Sequence, residues 1–221
     1  MRSFEELFEI TAERKGGRDA LNKMLDKPKS AATLRKIPDD RWLAGMTKCI
    51  FQAGFNWKVV ENMWPGFEAA FEEFDIGRCA MLNEDDLDRL VSDTRIVRYG
   101  AKIRSVQENA AFIIDLIKEN GGAGKTIADW PSSDYASLLE LLKKRGSRLG
   151  GTTSQYFLRR MGKDSYILTR DVVSRLMAEN VIDKPPTSKK AMGQVQDAFN
   201  TWMDQSGRSL TEISRVVAMS L

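Results

Sequence analysis

The densest run of residues able to do chemistry lies between Leu141 and Leu176, LLKKRGSRLGGTTSQYFLRRMGKDSYILTRDVVSRL. Lys143, Lys144 and Arg145 close a helical pattern, a glycine-rich turn follows from Gly146 to Gly151, and Thr152 and Thr153 open a second helix. Such a corner can hold a phosphate on its backbone N–H groups, because glycine permits close approach and a helix N-terminus carries partial positive charge. A grip of that kind positions a nucleic acid and reads no sequence. A plain helix corner with a solvated basic face would carry the same charges, so the charge pattern alone leaves both readings open.

Other chemistry is excluded by what the chain lacks. It has no histidine and only Cys49 and Cys79 as cysteines, which rules out a four-ligand Cys/His zinc site, a cysteine-bound iron–sulfur cluster and a serine–histidine triad. Acid–base work must fall to carboxylates, Lys, Tyr or Cys, and neither a metal nor a cofactor is expected. The formal net charge of +3 permits a nucleic-acid partner without requiring one. Gly121, Gly122, Gly124, Lys125 and Thr126 superficially suggest a nucleotide loop, but Glu119 stands where its first glycine belongs and a helix, not a strand, precedes it. Those glycines read as a helix stop and a turn.

The elements that must position these residues are helical. Ile103, Val106, Ala110, Ile113 and Ile117 recur at three- and four-residue intervals, the stripe of an amphipathic helix over 101–119. Asp39 and Asp40 precede a helix over 42–51, and Asn83 with Glu84, Asp85 and Asp86 opens a shorter one ending near Val91. Further helices are predicted over 133–145, 152–162, 170–180, 188–204 and 209–219, with Pro65, Pro131, Pro185 and Pro186 as punctuation. No alternating strand pattern occurs, so the fold class is all-α. At 221 residues, 42% hydrophobic and 29% charged, the chain can bury a core as one domain or as two helical lobes. The charged N-terminus, 1–15, lacks the apolar core of a secretory signal, and no segment resembles a membrane span, so a cytoplasmic address is expected.

The stretch from Leu141 onward resembles the helix-hairpin-helix element of base-excision DNA glycosylases. In that superfamily an essential aspartate opens the helix that follows the element, and Asp171 stands at the matching distance from Thr153. The resemblance implies that Asp171 orients a water and stabilises the oxocarbenium-like sugar as the base leaves, work suited to a carboxylate because positive charge develops on the ring. The residue types also allow Asp171 simply to cap the helix from Val172 to Ala178.

A second resemblance covers about 44–171. CIFQAGFNWKVVENMWPGFEAAFEEFD, MLNEDDLDRLVSDTRIVRYGAKIRSVQENA and LKKRGSRLGGTT are similar to the family I 3-methyladenine DNA glycosylases. The run Gln52, Ala53, Gly54, x, x, Trp57 is fairly specific, and so is the basic helix followed by Gly151, Thr152 and Thr153. The resemblance implies that Trp57 stacks on an extruded base, that Phe55 wedges the duplex, and that Tyr99 is a further stacking residue near a basic turn of Arg95, Arg98, Lys102 and Arg104. Core packing is the competing reading of the aromatics. Cys49 departs from the family, which places a base-recognising glutamate there. The family's C-terminal zinc ligands correspond to Asp171 and Arg175, so that metal site is excluded. Thr152 stands where bifunctional relatives carry a nucleophilic lysine, which implies base release without strand cleavage. Arg148 replaces the first hairpin glycine, adding a candidate phosphate contact at some cost in backbone freedom.

These readings combine into an all-α, two-lobed helical bundle with a helix-hairpin-helix motif at 141–162. Residues 1–45 with 187–221 are expected to form one lobe and 46–186 the other. The expected activity is that of a monofunctional glycosylase acting as a monomer on double-stranded DNA that contains a damaged, alkylated purine such as 3-methyladenine. Asp171 is the catalytic candidate. Trp57, Phe55, Gln52, Cys49 and Tyr99 are assigned to the base pocket, and Lys144, Arg145, Arg148, Gly150, Gly151, Thr152 and Thr153 to DNA binding. The alternatives are a DNA-binding protein that keeps the hairpin and has lost catalysis, and a helical interaction protein with no nucleic-acid role.

Overall fold

A computed structural model describes residues 1–221 and contains helices without strands. In chain order these are α1 (Phe4–Arg14), α2 (Arg18–Lys23), α3 (Ala31–Arg35), α4 (Asp39–Gln52), α5 (Trp57–Asn62), α6 (Trp64–Ala70), α7 (Ile76–Ala80), α8 (Glu84–Ser92), α9 (Gly100–Asn120), α10 (Ala123–Asp129), α11 (Tyr135–Arg145), α12 (Gly151–Met161), α13 (Arg170–Ala178), α14 (Lys189–Ser206) and α15 (Leu210–Met219). No helix is long and apolar enough to cross a membrane. The chain divides into two compact units: Met1–Lys29 with Trp130–Leu138 and Gly162–Leu221, and Ser30–Asp129 with Leu139–Met161.

The first unit is started by local signals. Ser3 and Glu6 form a capping box on α1, and Ser209 and Glu212 form another on α15, each satisfying two backbone N–H groups that the helix cannot. The core is aromatic: Tyr166 meets Tyr135 edge-on at 4.7 Å and stacks on Phe199 at 4.6 Å, and Phe199 meets Trp202 at 5.4 Å. Such pairs add about 0.5–1.5 kcal/mol each beyond the burial of their area. The chain leading into α13 is tied to α15: Ser165 N donates to Thr211 Oγ1 (3.2 Å), Ile167 N to Ser214 Oγ (3.1 Å), and Asp164 Oδ1 accepts from Thr211 N (2.9 Å). This tether sets the position of α13 and of Asp171 in its first turn.

The second unit is built around α4, which packs against α9 and α12. Trp42 lies edge-on to Phe157 at 5.9 Å and Phe51 to Phe67 at 4.7 Å, and these rings are fully buried. Gly45 lets α4 and α12 approach, since a Cβ there would sit 2.7 Å from Met161 Sδ. The glycine run after α9 acts as the stop and turn that the sequence suggests. Gly121 ends α9 at φ 84°, and Ala123 N donates to Asp39 Oδ1 at 2.8 Å, so a carboxylate of the chain itself holds the N-terminus of α10.

The expected lobe boundaries need correction. Residues 30–45 belong with the middle helices, because α4 runs unbroken across the expected division and its Trp42 packs on α12. Residues 130–138 and 162–186 belong with the terminal helices, because the segment before α13 is hydrogen-bonded to α15. Asp171 therefore belongs to the unit of the terminal helices. Short helices α5, α6 and α7 also escape a periodicity reading, since five to seven residues complete too few turns to show a stripe.

Candidate functional site

Within the second unit, Cys49, Gln52, Ala53, Gly54, Trp57, Thr152, Thr153, Tyr156 and Arg160 line a cavity of about 200 Å³. Three local features build it. Cys49 and Gln52 are one helical turn apart on α4; Gly54, at φ 75°, reverses the chain in a conformation that suits glycine; and Asn56 caps α5 by accepting from Lys58 N, which starts the helix at Trp57. From the other side, Thr152, Thr153, Tyr156 and Arg160 present one face of α12.

Trp57 is 43% exposed and Phe55 42%, so neither is a core residue. Tyr156 lies edge-on to Trp57 at 5.4 Å, and the Arg160 guanidinium sits 4.4 Å from the Trp57 ring centroid. Arg160 donates to Gln52 Oε1 and lies 3.9 Å from Cys49 Sγ. Buried Gln52 is held from behind, its Nε2 donating to Glu61 Oε1 at 3.0 Å, while Lys48 Nζ reaches Glu61 Oε2 at 2.7 Å. The hydrogen bond from Lys48, with that from Gln52, holds the Glu61 carboxyl below its ordinary range. Burial pushes the Cys49 thiol up despite the nearby guanidinium, so it is neutral at neutral pH. Arg160 is consequently the single formal charge on the cavity wall.

Tyr99 is exposed and stands outside the cavity lining. It belongs instead to a chain of cation–π contacts: Lys102 Nζ lies 4.9 Å from the Phe55 ring and 5.7 Å from Tyr99, and Arg148 lies 5.7 Å from Tyr99. Phe55 is likewise exposed and does not line the cavity. Lys102 is buried and donates to the carbonyls of Phe51 (3.1 Å) and Ala53 (2.7 Å), satisfying the C-terminus of α4 and fixing the turn below Trp57. Burial, with Arg148 nearby, lowers its amine pKa.

The hairpin between α11 and α12 is anchored by a residue that the sequence does not signal. Buried Asn109 accepts from Ser147 N at 2.8 Å and donates from Nδ2 to Ser147 O at 3.0 Å. Gly146 packs so tightly that a Cβ would lie 2.6 Å from Leu149 Cδ1. Arg148 adopts φ 56°, the left-handed conformation expected where an arginine replaces a glycine, and its Nε donates to Ala101 O at 3.2 Å. Gly151, Thr152 and Lys144 are exposed, with Gly150 and Thr153 partly so. Lys144 pairs with Glu140 at 3.1 Å, and Arg145 with Glu119 at 2.7 Å, so each must exchange a carboxylate for any phosphate it meets.

Asp171 is exposed in the first turn of α13. The cap of that helix is Thr169, whose hydroxyl accepts from Val172 N, so Asp171 is not the capping residue. Arg175 is buried and paired with Glu179 at 3.2 Å, which gives that position a structural ionic role. Tyr156 and Arg160 went unnoticed in the sequence. Their spacing from Thr152 and Thr153 by three and four residues is the signal that would have found them.

Residues 38–134 match the family model described as methyladenine glycosylase. This match includes α4, α5 and α9 and stops before the hairpin. DNA-3-methyladenine glycosylase 1 of Escherichia coli strain K12 is 32% identical over 124 residues, covering 48% of this chain and 66% of the relative, just under two thirds of its length. Among solved structures, 3-methyladenine DNA glycosylase I from Staphylococcus aureus, described for its recognition of 3-methyladenine, superposes with a TM-score of 0.52 at 20% identity over 71% of this chain and 91% of that one. The Methanocaldococcus jannaschii 8-oxoguanine glycosylase/lyase bound to a DNA 15-mer gives 0.54 at 16% identity, over 96% and 95%. At those identities the superpositions establish the helix-hairpin-helix glycosylase fold. The chain thus has the fold of these glycosylases, and its middle helices are similar in sequence to the methyladenine glycosylases.

Proposed function

We propose that this chain is a monofunctional DNA glycosylase that acts as a cytoplasmic monomer on double-stranded DNA, extrudes a damaged purine and hydrolyses its N-glycosidic bond. Alkylated purines such as 3-methyladenine are the lesion class that the relatives suggest. One observation carries the reading: Thr152 and Thr153, at the start of the hairpin's second helix, line the same cavity as half-exposed Trp57. A phosphate held on the hairpin N–H groups lies within a nucleotide's reach of an aromatic platform, and the cavity is the size for a base. In this reading Trp57 stacks on the base and Phe55, also exposed, fills the gap left in the duplex. Lys144, Arg145, Arg148, Gly150, Gly151, Thr152 and Thr153 hold the backbone.

Asp171 is the carboxylate that stabilises the sugar cation and orients water. Its exposure, and the capping of α13 by Thr169, support the assignment because the carboxylate remains available. With Thr152 in place of an amine nucleophile, no Schiff base forms and the strand stays intact.

Incubation with methylated DNA and chromatographic analysis of the freed bases tests this function. Purine release without strand cleavage is expected, and Asp171→Asn should slow it by about 10²–10³-fold, the size of effect typical of a lost electrostatic stabiliser. Tight binding with no released base would instead establish a non-catalytic hairpin protein. A variant as fast as the parent would remove Asp171 from the mechanism.

A further inference from the structure

The cavity wall carries a cation that the glycosylase reading alone does not use. The Arg160 guanidinium lies on Trp57, its Nη1 engaged by Gln52 Oε1, and Gln52 is buried and locked by Glu61. This fixes the amide of Gln52 with its oxygen toward Arg160, so the guanidinium is oriented rather than loose. Its remaining N–H groups form a planar fork, a shape suited to two adjacent acceptors. Thr152, Thr153, Tyr156 and the neutral Cys49 thiol offer no opposing charge, and Glu61, the carboxylate behind Gln52, is already paired with Lys48.

We propose that Arg160 is a base-reading residue that extends excision to neutral purine lesions presenting a 6-keto oxygen and N7, of the hypoxanthine type, and that it disfavours purines whose N-alkylation leaves a fixed positive charge. The proposal rests on the glycosylase reading and specifies the lesion its pocket reads. Arginine recognises the O6/N7 edge by two parallel hydrogen bonds. It also repels a cationic base brought to the same place.

The same contact assists departure. A neutral purine leaves with the electron pair of the C1′–N9 bond, and its developing negative charge spreads to the O6/N7 edge, where Arg160 donates. Water then bonds to C1′, and the proton it releases ends on the purine. An N-alkylated purine departs already neutral and gains nothing from the cation. Arg160 is exposed, so solvent screens part of both effects and about tenfold is the discrimination expected.

The test compares parent, Arg160→Ala and Arg160→Lys on two substrates: an oligonucleotide duplex with one hypoxanthine, and methylated DNA assayed for 3-methyladenine. The parent should release both. Arg160→Ala should lose about tenfold on hypoxanthine while gaining on 3-methyladenine, and Arg160→Lys, which keeps charge without the fork, should fall between on hypoxanthine. Opposite movement on the two lesions is something a merely damaged fold cannot produce. Equal loss on both substrates overturns the proposal, as does a parent that frees 3-methyladenine and no hypoxanthine; in both cases the glycosylase reading survives. A parent that frees neither overturns both.

Discussion

Asn109→Ala is the most direct probe of how the hairpin is held. The side chain is fully buried on α9 and makes two hydrogen bonds to one residue, accepting from Ser147 N at 2.8 Å and donating to Ser147 O at 3.0 Å. At about 1 kcal/mol net for each, their loss amounts to about 2 kcal/mol. That corresponds to roughly a 30-fold rise in the population of the locally opened hairpin. If the same interactions count toward global unfolding, the melting temperature falls by about 4–8 °C for a chain of this size. Amide hydrogen exchange resolved at Ser147 to Leu149 reads the local effect, calorimetry the global one, and helical circular dichroism confirms that the variant folds. Unchanged exchange at Ser147 together with an unchanged melting temperature would refute the claim that Asn109 anchors the hairpin.

Two further expectations concern charge. Arg148→Gly relieves a left-handed residue at φ 56°, so stability should hold while DNA affinity drops and the log–log salt slope shrinks by about one; an unaltered slope would mean that Arg148 touches no phosphate. For Glu179, burial alone would raise the carboxyl, but hydrogen bonds from Arg2, reinforced by Arg175, hold it below its ordinary range. A depressed folded pKa contributes stability above the unfolded value and loses it as pH falls through the folded one. Glu179→Gln should therefore destabilise the protein at neutral pH and flatten its acid-unfolding profile below the ordinary carboxylate range. An equally steep acid profile in the variant would contradict this.

Residues 141–162 show how far local patterning reaches. A basic helix end, glycines and two threonines suffice to place a corner between two helices, because stop signals and glycine conformations act within a few residues. The second half of the hairpin's geometry is non-local. Asn109, distant in sequence, supplies the anchor, and nothing in its helical surroundings distinguishes it from a solvated asparagine. Lys102 is similar: it reads as one of four basic residues near a turn, yet it is buried on the carbonyls of Phe51 and Ala53 where α4 ends, while Arg95 and Arg104 pair with Asp93 and Glu84.

From the sequence by itself come the all-α class, most helix boundaries and the glycine stop after α9, since capping, periodicity and backbone conformation are set by near neighbours. The fold alone decided which helices share a core, transferring 30–45 to the middle helices and 162–186 to the terminal ones. It also brought Arg160 of α12 over Trp57 of α5 and turned a position marked by Cys49 into a neutral wall beside a cation. Contacts of this kind depend on packing between helices far apart in the chain, and no spacing rule within one helix encodes them.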